Sequence, residues 1–334
     1  MSIKKCIKIE GMGRYLPQQV LSSELEEKHG IPLGWSEKYS GVKKRHHVTF
    51  ETNGYMGARA IEDALEKCNL SLSEIDLIIS AGATYDYSLP NQSCIIKSEL
   101  KDGHVFNTPT MDIDTSCLSF ISAFEVANSL FDGDKYKRII IVTSEISSKG
   151  LDSNNRETIT LFGDAAVAAI LQYDEESEGH VFKSNLKTYS EGAYDSIIKG
   201  GGNKYHFKDH PYDQKLFSFS MNGKKMIKMV KQKLPEFVGD FFSETPFSIE
   251  DIDVIIPHQA SKLGKVIINK LYNFKKGRLK ENLDSYGNCI AASIPLLLYS
   301  RRYVFVNRNL CRIFNRRVIT CILIKVICLK ILEI

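Results

Sequence analysis

At 334 residues, with 43% hydrophobic and 25% charged side chains, the chain can bury one large α/β core or two smaller ones. Its net charge is +4, but residues 1–300 carry 36 Lys/Arg against 39 Asp/Glu, which argues against a nucleic-acid binder. No run of about 20 apolar residues could span a bilayer, and eight cysteines without a CxxC suggest neither a metal site nor a disulfide framework.

The opening stretch "MSIKKCIKIEGMGRYLP" lacks the apolar run of a signal peptide, so reduced thiols in a cytoplasm are expected. "ETNGYMGARAIEDALEKCNL" (51–70) reads as a helix, with apolar or small residues at Met56, Ala60, Ala64 and Leu65. "DLIISAGA" (76–83), "RIIIVTSEI" (138–146) and "AAVAAILQY" (165–173) read as buried strands. Such runs alternating with longer amphipathic stretches predict an α/β fold. "LSEIDLIISAGA" (72–83) and "IEDIDVIIPHQA" (249–260) share one pattern: acid, Ile, Asp, apolar, Ile, Ile. Asp76 and Asp253 lie 177 residues apart, so this echo predicts two similar halves sharing one body, 1–173 and 174–334, rather than a solenoid.

"DTSCLSFISAF" (114–124) sets a cysteine between small polar residues at the start of an apolar helix. There Cys117 faces unpaired backbone N–H groups and the positive end of the helix dipole, which favour a thiolate. If the halves pack about a pseudo-twofold axis, their strand ends meet centrally, where open parallel sheets place active sites. His258 follows a strand expected over 252–256, and Asn288 sits in the loop "SYGNCIAASIP" (285–295). Both would then face Cys117. A thiolate attacks an activated carbonyl to form a thioester. Loss of CO₂ from a malonyl thioester supplies a carbon nucleophile, and one His N–H with one Asn NH₂ stabilises the charge on the thioester oxygen. Cys–His–Asn therefore fits decarboxylative carbon–carbon bond formation. Each residue also has a plain structural account: a core thiol, a satisfied polar histidine, a helix cap.

With these motifs in hand, the chain resembles β-ketoacyl-[acyl-carrier-protein] synthase III, of the thiolase-like superfamily. The segments that carry the resemblance are "IKIEGMGRYLP", "W…SGVKKRHH", "TSCLSF", "LFGDAAVAAIL", "IPHQAS" and "YGNCIAASIP", over about residues 1–298. It implies a five-layered αβαβα fold, a homodimer, and an acyl-CoA primer condensed with malonyl-acyl carrier protein in fatty acid or specialised lipid and polyketide synthesis. No metal or redox cofactor is implied. By the match, Cys117 accepts the acyl group, while His258 and Asn288 decarboxylate the malonyl unit. Trp35 and Arg156 fall where the family contacts the nucleotide end of coenzyme A; a surface aromatic and a solvated charge are the plain alternatives. The family's arginine four residues after the tryptophan is Tyr39 here. Leu89 falls where the family reaches across the dimer interface to floor the acyl pocket, leaving room for a longer primer. Gly223 matches a further substrate-binding position. In "NGKKMIKMVKQKL" (222–234), Lys224, Lys228 and Lys231 share a helical face. Such a face suits an acidic carrier protein or simply solvent. Lys228 matches a family docking position, and Lys262 stands beside Leu263, which replaces another.

The resemblance stops near Leu298. Residues 301–334 carry eight Lys/Arg and one acid, three of the eight cysteines and no glycine. The family has a glycine-rich turn here whose backbone N–H completes an oxyanion hole. The atypical tail 299–334, with an apolar strand-like run at 318–328, suggests a shifted reading frame or a replaced gene end, which the other frames of the coding DNA would reveal. Membrane-surface binding is the competing account of the tail. Two rivals to an active condensing enzyme follow. One is a relative that folds and dimerises without turnover. The other is a papain-like hydrolase, which has the residue order Cys, His, Asn but lacks the local sequence around its cysteine.

Overall fold

Alternate residues of "AAVAAILQY" up to Leu171 enter different cores, which explains why no polar residue breaks the run before Gln172. In the computed structural model, which describes residues 7–175, 183–211, 213–300, 319–324 and 328–333, this segment is strand β7 (Ala165–Tyr173). Ala165, Val167, Ala169 and Leu171 face one apolar cluster, and Ala166, Ala168 and Ile170 face another. Strands β4 (Leu77–Ala81) and β6 (Arg138–Glu145) divide the same way, with Ile79 and Ile141 on one side and Ile78 and Ile140 on the other. A sheet covered on both faces needs this two-sided hydrophobicity.

These strands join β1 (Ile7–Tyr15) and β5 (Thr110–Ile113) in a sheet of order β1-β7-β6-β4-β5. The β4–β5 and β4–β6 pairs are parallel; β6–β7 and β1–β7 are antiparallel. Beside it, β2 (Gln18–Leu21) pairs with β3 (Lys44–His47), and helix α1 (Ser22–Lys28) lies between them in sequence. Helices α2 (Asn53–Cys68) and α3 (Gln92–Ser98) cover the outer face. The helix expected over 51–70 is α2, shortened because Thr52 Oγ1 accepts from Tyr55 N–H at 3.1 Å and Asn69 ends it at φ +54°.

The inner face is covered by α4 (Ser119–Leu130) and α9 (Ser293–Ser300). Phe120 and Phe124 of α4 and Ile294, Leu297 and Leu298 of α9 share a cluster with Ile256 and Val254. That contact brings the second sheet against the same helical layer. Burying each such side chain contributes about 1.5–3 kcal/mol. The second sheet has the order β11-β12-β13-β8, from β8 (Lys183–Thr188), β11 (Val254–Ile255), β12 (Ile319–Ile324) and β13 (Cys328–Glu333). The strand expected over 252–256 is thus only two residues long. The run expected at 318–328 contributes β12, whose backbone lies parallel to β11 and antiparallel to β13; residues 301–318, 325–327 and 334 of the tail lie outside the described residues. Outside the second sheet, α6 (Gly223–Phe242) and α7 (Lys262–Tyr272) pack through Leu234, Phe237, Phe241 and Ile268. Helix, sheet, helix, sheet, helix is the five-layer order that the resemblance implies. Smaller pieces include a short pair of β9 (Ser196–Ile197) and β10 (Ser220–Met221), and the single turns α5 (Arg156–Ile159) and α8 (Leu283–Tyr286).

The sequence echo takes the same shape in both places. Ser71 and Ser248 each open a capping box, with Glu74 and Asp251 accepting their backbone N–H at 2.9 and 2.8 Å. Each box closes a 3₁₀ turn that feeds directly into β4 or β11.

Candidate active site

Cys117 lies in a 3₁₀ turn, Ser116–Leu118, and α4 begins only at Ser119. The expected helical first turn is displaced because Ser119 Oγ accepts from Thr115 N–H at 2.9 Å and donates to the Ser116 carbonyl at 2.7 Å. Asp114 Oδ1 accepts from Ser116 N–H at 2.7 Å, and Ser116 holds φ +59°. That left-handed conformation costs a non-glycine residue about 1–2 kcal/mol. The bonds on both sides of Ser116 hold it there, so the half-buried thiol is presented from a fixed turn.

Asn288 is positioned by strand-like pairing with a distant segment. Its N–H donates to the Leu161 carbonyl at 2.9 Å, and its carbonyl accepts from Gly163 N–H at 3.1 Å. Gly287 makes this approach possible: at φ +70°, a Cβ there would stand 2.5 Å from Leu161 O. Asn288 is 5% exposed, and its Oδ1 accepts from Ile290 N–H at 2.9 Å. Its Nδ2 therefore faces the other way, 3.4 Å from Ala260 O. His258 follows β11 through Pro257, on a loop tied down by buried Gln259. That side chain donates to Pro257 O at 2.9 Å and accepts from Asn282 N–H at 3.2 Å.

Cys117, His258 and Asn288 line one cavity of about 330 Å³. Ile146, Leu151, Phe162, Ile198, Phe219 and Met221 give it apolar walls. A second cavity of about 410 Å³ adjoins it, sharing Met226, His258 and Ala260 and continuing past Ile227, Val230 and Lys262. A thiol, an imidazole and a carboxamide on one largely apolar space can carry out acyl transfer and stabilise an enolate. No group of three or more His, Cys, Asp or Glu among the described residues could hold a metal ion.

The other expected residues lie apart from this cavity. The Arg156 guanidinium sits over the Trp35 ring at 5.4 Å, and the Tyr39 ring packs tilted against the same indole, with centroids 4.8 Å apart. Leu89 is 85% exposed and touches neither cavity in its own chain. Gly223 lines a groove with Tyr194, Lys224 and Ile227, next to the second cavity. Lys228 is exposed on α6 with Lys224 and Lys231. Lys262 Nζ donates to Lys38 O at 3.0 Å and approaches Glu37 O at 3.5 Å, so it pins the loop after Trp35.

Several site residues escaped the sequence reading. Met226, Ile227 and Val230 sit on the reverse of the lysine face of α6, where an i, i+4 spacing could have signalled them. The Asp164 carboxylate, in "FGD", is fully buried and accepts from Ser147, Ser148 and Val48 N–H at 2.8–2.9 Å. It ties the cavity wall at Ser147 to the segment after β3. Glu145, at the end of β6, is fully buried behind the cavity.

The family described as 3-oxoacyl-[acyl-carrier-protein (ACP)] synthase III matches residues 111–190, and its C-terminal part matches residues 242–303. The β-ketoacyl-[acyl-carrier-protein] synthase III of Rickettsia rickettsii is 33% identical over 297 residues, 87% of this chain and 89% of its own. That of Aquifex aeolicus is 30% identical over the same shares. The fold is like that of the solved 3-oxoacyl-[acyl-carrier-protein] synthase III from Aquifex aeolicus, with TM-score 0.83 and 24% identity, covering 98% of this chain and 99% of that one. The synthase III structure from Pseudomonas aeruginosa gives 0.82 at 20% identity, covering 99% and 98%.

Proposed function

The chain belongs to the 3-oxoacyl-[acyl-carrier-protein] synthase III family of condensing ketosynthases, and on that premise we propose that it joins an acyl-CoA primer to malonyl-acyl carrier protein through an acyl-Cys117 intermediate. The Cys117 thiolate attacks the primer carbonyl, the coenzyme A thiolate leaves, and a thioester to the enzyme remains. Malonyl-carrier then loses CO₂. The electron pair of the broken bond moves into an enolate whose oxygen accepts from His258 and from Asn288 Nδ2. The enolate carbon attacks the acyl-Cys117 carbonyl and expels the thiolate, giving a 3-oxoacyl-carrier product. The observation that carries this reading is the shared cavity: Cys117, His258 and Asn288 meet on it from segments up to 171 residues apart.

Supporting observations bear on the partners. The Arg156–Trp35–Tyr39 cluster offers a cation and two aromatic rings for the nucleotide end of coenzyme A, and Gly223 lines its groove with nothing within 4 Å of where a Cβ would stand. The exposed Lys224, Lys228 and Lys231 suit an acidic carrier protein, with Lys262 shaping the adjoining loop. Exposed Tyr87, Leu89 and Val105 favour a homodimer that would cover them. Among the described residues, Cys68, Cys94, Cys117 and Cys289 are free thiols.

A second reading, a homologue that acylates without condensing, is favoured by one fact: no glycine follows Gly287 in the sequence. A decarboxylation assay with malonyl-acyl carrier protein separates the two. With acyl-CoA present, 3-oxoacyl product that is lost in both Cys117→Ser and His258→Ala supports the condensing enzyme. Acylation of Cys117 by acyl-CoA, seen as a mass increase without turnover, supports the second reading; neither signal overturns both.

A further inference from the structure

Glu145 is fully buried and does not line the cavity, yet its carboxyl joins two segments that do. Oε1 accepts from Ala83 N–H at 3.0 Å and from Ala291 N–H at 3.3 Å, and Oε2 lies 2.7 Å from Thr84 Oγ1. Ala83 and Thr84 form the cavity wall after β4, and Ala291 belongs to the turn Ile290–Ala292 that follows Asn288. That turn packs against the nucleophile turn Ser116–Leu118.

The turn needs holding. Ile290 adopts φ +49°, an outlying conformation for a β-branched residue that persists only where surrounding contacts over-determine it. Its N–H is the donor that fixes Asn288 Oδ1 and so directs Nδ2. Among the described residues, none of the hydrogen-bond partners of Glu145 is a cation. Thr84 Oγ1 also accepts from Ile146 N–H at 3.0 Å and can donate to Asn53 Oδ1 at 3.2 Å. This network closes when the carboxyl carries a proton: Oε2–H donates to Thr84, Thr84 donates to Asn53, and Oε1 takes both backbone N–H groups. Burial, which pushes the Glu145 carboxyl up to about 8, agrees with that count.

We propose that Glu145 is a positioning residue that locks the strained turn at Ile290 against the Ala83–Thr84 wall and thereby aims the Asn288 carboxamide into the cavity. The inference rests on the decarboxylating role proposed above for Asn288. Three variants test it: Glu145→Gln keeps both the acceptor and a donor to Thr84; Glu145→Leu fills the space without either; Glu145→Asp keeps the acid but shortens its reach. Two readouts are needed on the full chain: decarboxylation of malonyl-acyl carrier protein, and amide hydrogen exchange in peptides covering 289–293. Glu145→Leu and Glu145→Asp should exchange at least tenfold faster there and lose at least tenfold in kcat with KM within twofold. Glu145→Gln should stay within threefold of wild type in both. Unchanged exchange in Glu145→Asp, which stands in should Glu145→Leu fail to fold, would overturn the proposal. So would a Glu145→Gln variant with wild-type exchange and a hundredfold loss in kcat, which would mark a proton-transfer role instead. If wild type itself does not decarboxylate the malonyl unit, the proposed function fails, and exchange alone decides the position of the turn.

Discussion

The Arg156 guanidinium lies 5.4 Å from the centre of the Trp35 ring, and Trp35 is the sole tryptophan of the chain. Intrinsic fluorescence therefore reports this contact without labelling. Coenzyme A is expected to change the Trp35 emission saturably. Arg156→Ala, which removes about 0.5–1 kcal/mol of cation–π attraction, should weaken that binding two- to fivefold. Emission indifferent to coenzyme A would remove this stack from the substrate path.

Asn288→Asp replaces the Nδ2 donor with a second oxygen while keeping the acceptor for Ile290 N–H. Decarboxylation should fall by about 10²–10³, as when an oxyanion donor is lost. Acylation of Cys117, followed by intact mass, should persist. Loss of both steps together would show that Asn288 acts on the fold of the site rather than on the enolate.

Gly287→Ala puts a methyl group 2.5 Å from the Leu161 carbonyl, at φ +70°. The strand-like bridge that seats Asn288 cannot survive unchanged. A lower urea midpoint, corresponding to about 2 kcal/mol or more, is expected. Gly202→Ala meets open space and serves as the control, within about 0.5 kcal/mol of wild type.

The burial of Glu145 predicts the sign of a pH dependence of stability. Its folded pKa, about 8, lies above the unfolded carboxylate value, so between the two the folded chain binds the extra proton. Stability is then lost as pH rises from about 4.5 to 8, with a slope of up to about 1.4 kcal/mol per pH unit. Glu145→Gln lacks this loss, so its stability relative to wild type should climb across that window in urea titrations. His46 works in the opposite direction. Burial first, then Lys44 and Arg14, hold its imidazole down to about 4. Its contribution fades as pH falls from about 6.5 to 4. A stability difference between Glu145→Gln and wild type that is flat from pH 5 to 8 would contradict the buried acid.

Leu89→Phe tests the proposed dimer contact. With Leu89 almost fully exposed in the single chain, a bulkier ring can affect primer choice only if a partner subunit's cavity receives it. A primer-length series should shift towards short acyl groups, while sedimentation confirms that the dimer is kept. An unchanged series would place Leu89 outside the acyl pocket.

The elements of the fold were largely legible in the sequence because their causes are local. The unbroken apolar runs of β6 and β7 follow from burial on both faces, and the Ser71 and Ser248 caps sit three residues from their acids. The residues around Cys117, His258 and Asn288 could likewise be read as chemistry from neighbours in the chain. Only the tertiary structure decided which groups surround them. Asn288 is oriented by Leu161 and Gly163, more than 120 residues away. Lys262 turns onto the carbonyls of Glu37 and Lys38. Met226 and Ile227, hidden behind a lysine face, line the approach to His258. Glu145 looks like the polar end of an ordinary strand until distant segments cover it. Strand and helix periods arise from backbone geometry that each stretch carries with it. Desolvation and hydrogen-bond direction depend on which remote groups arrive, and no local pattern encodes that.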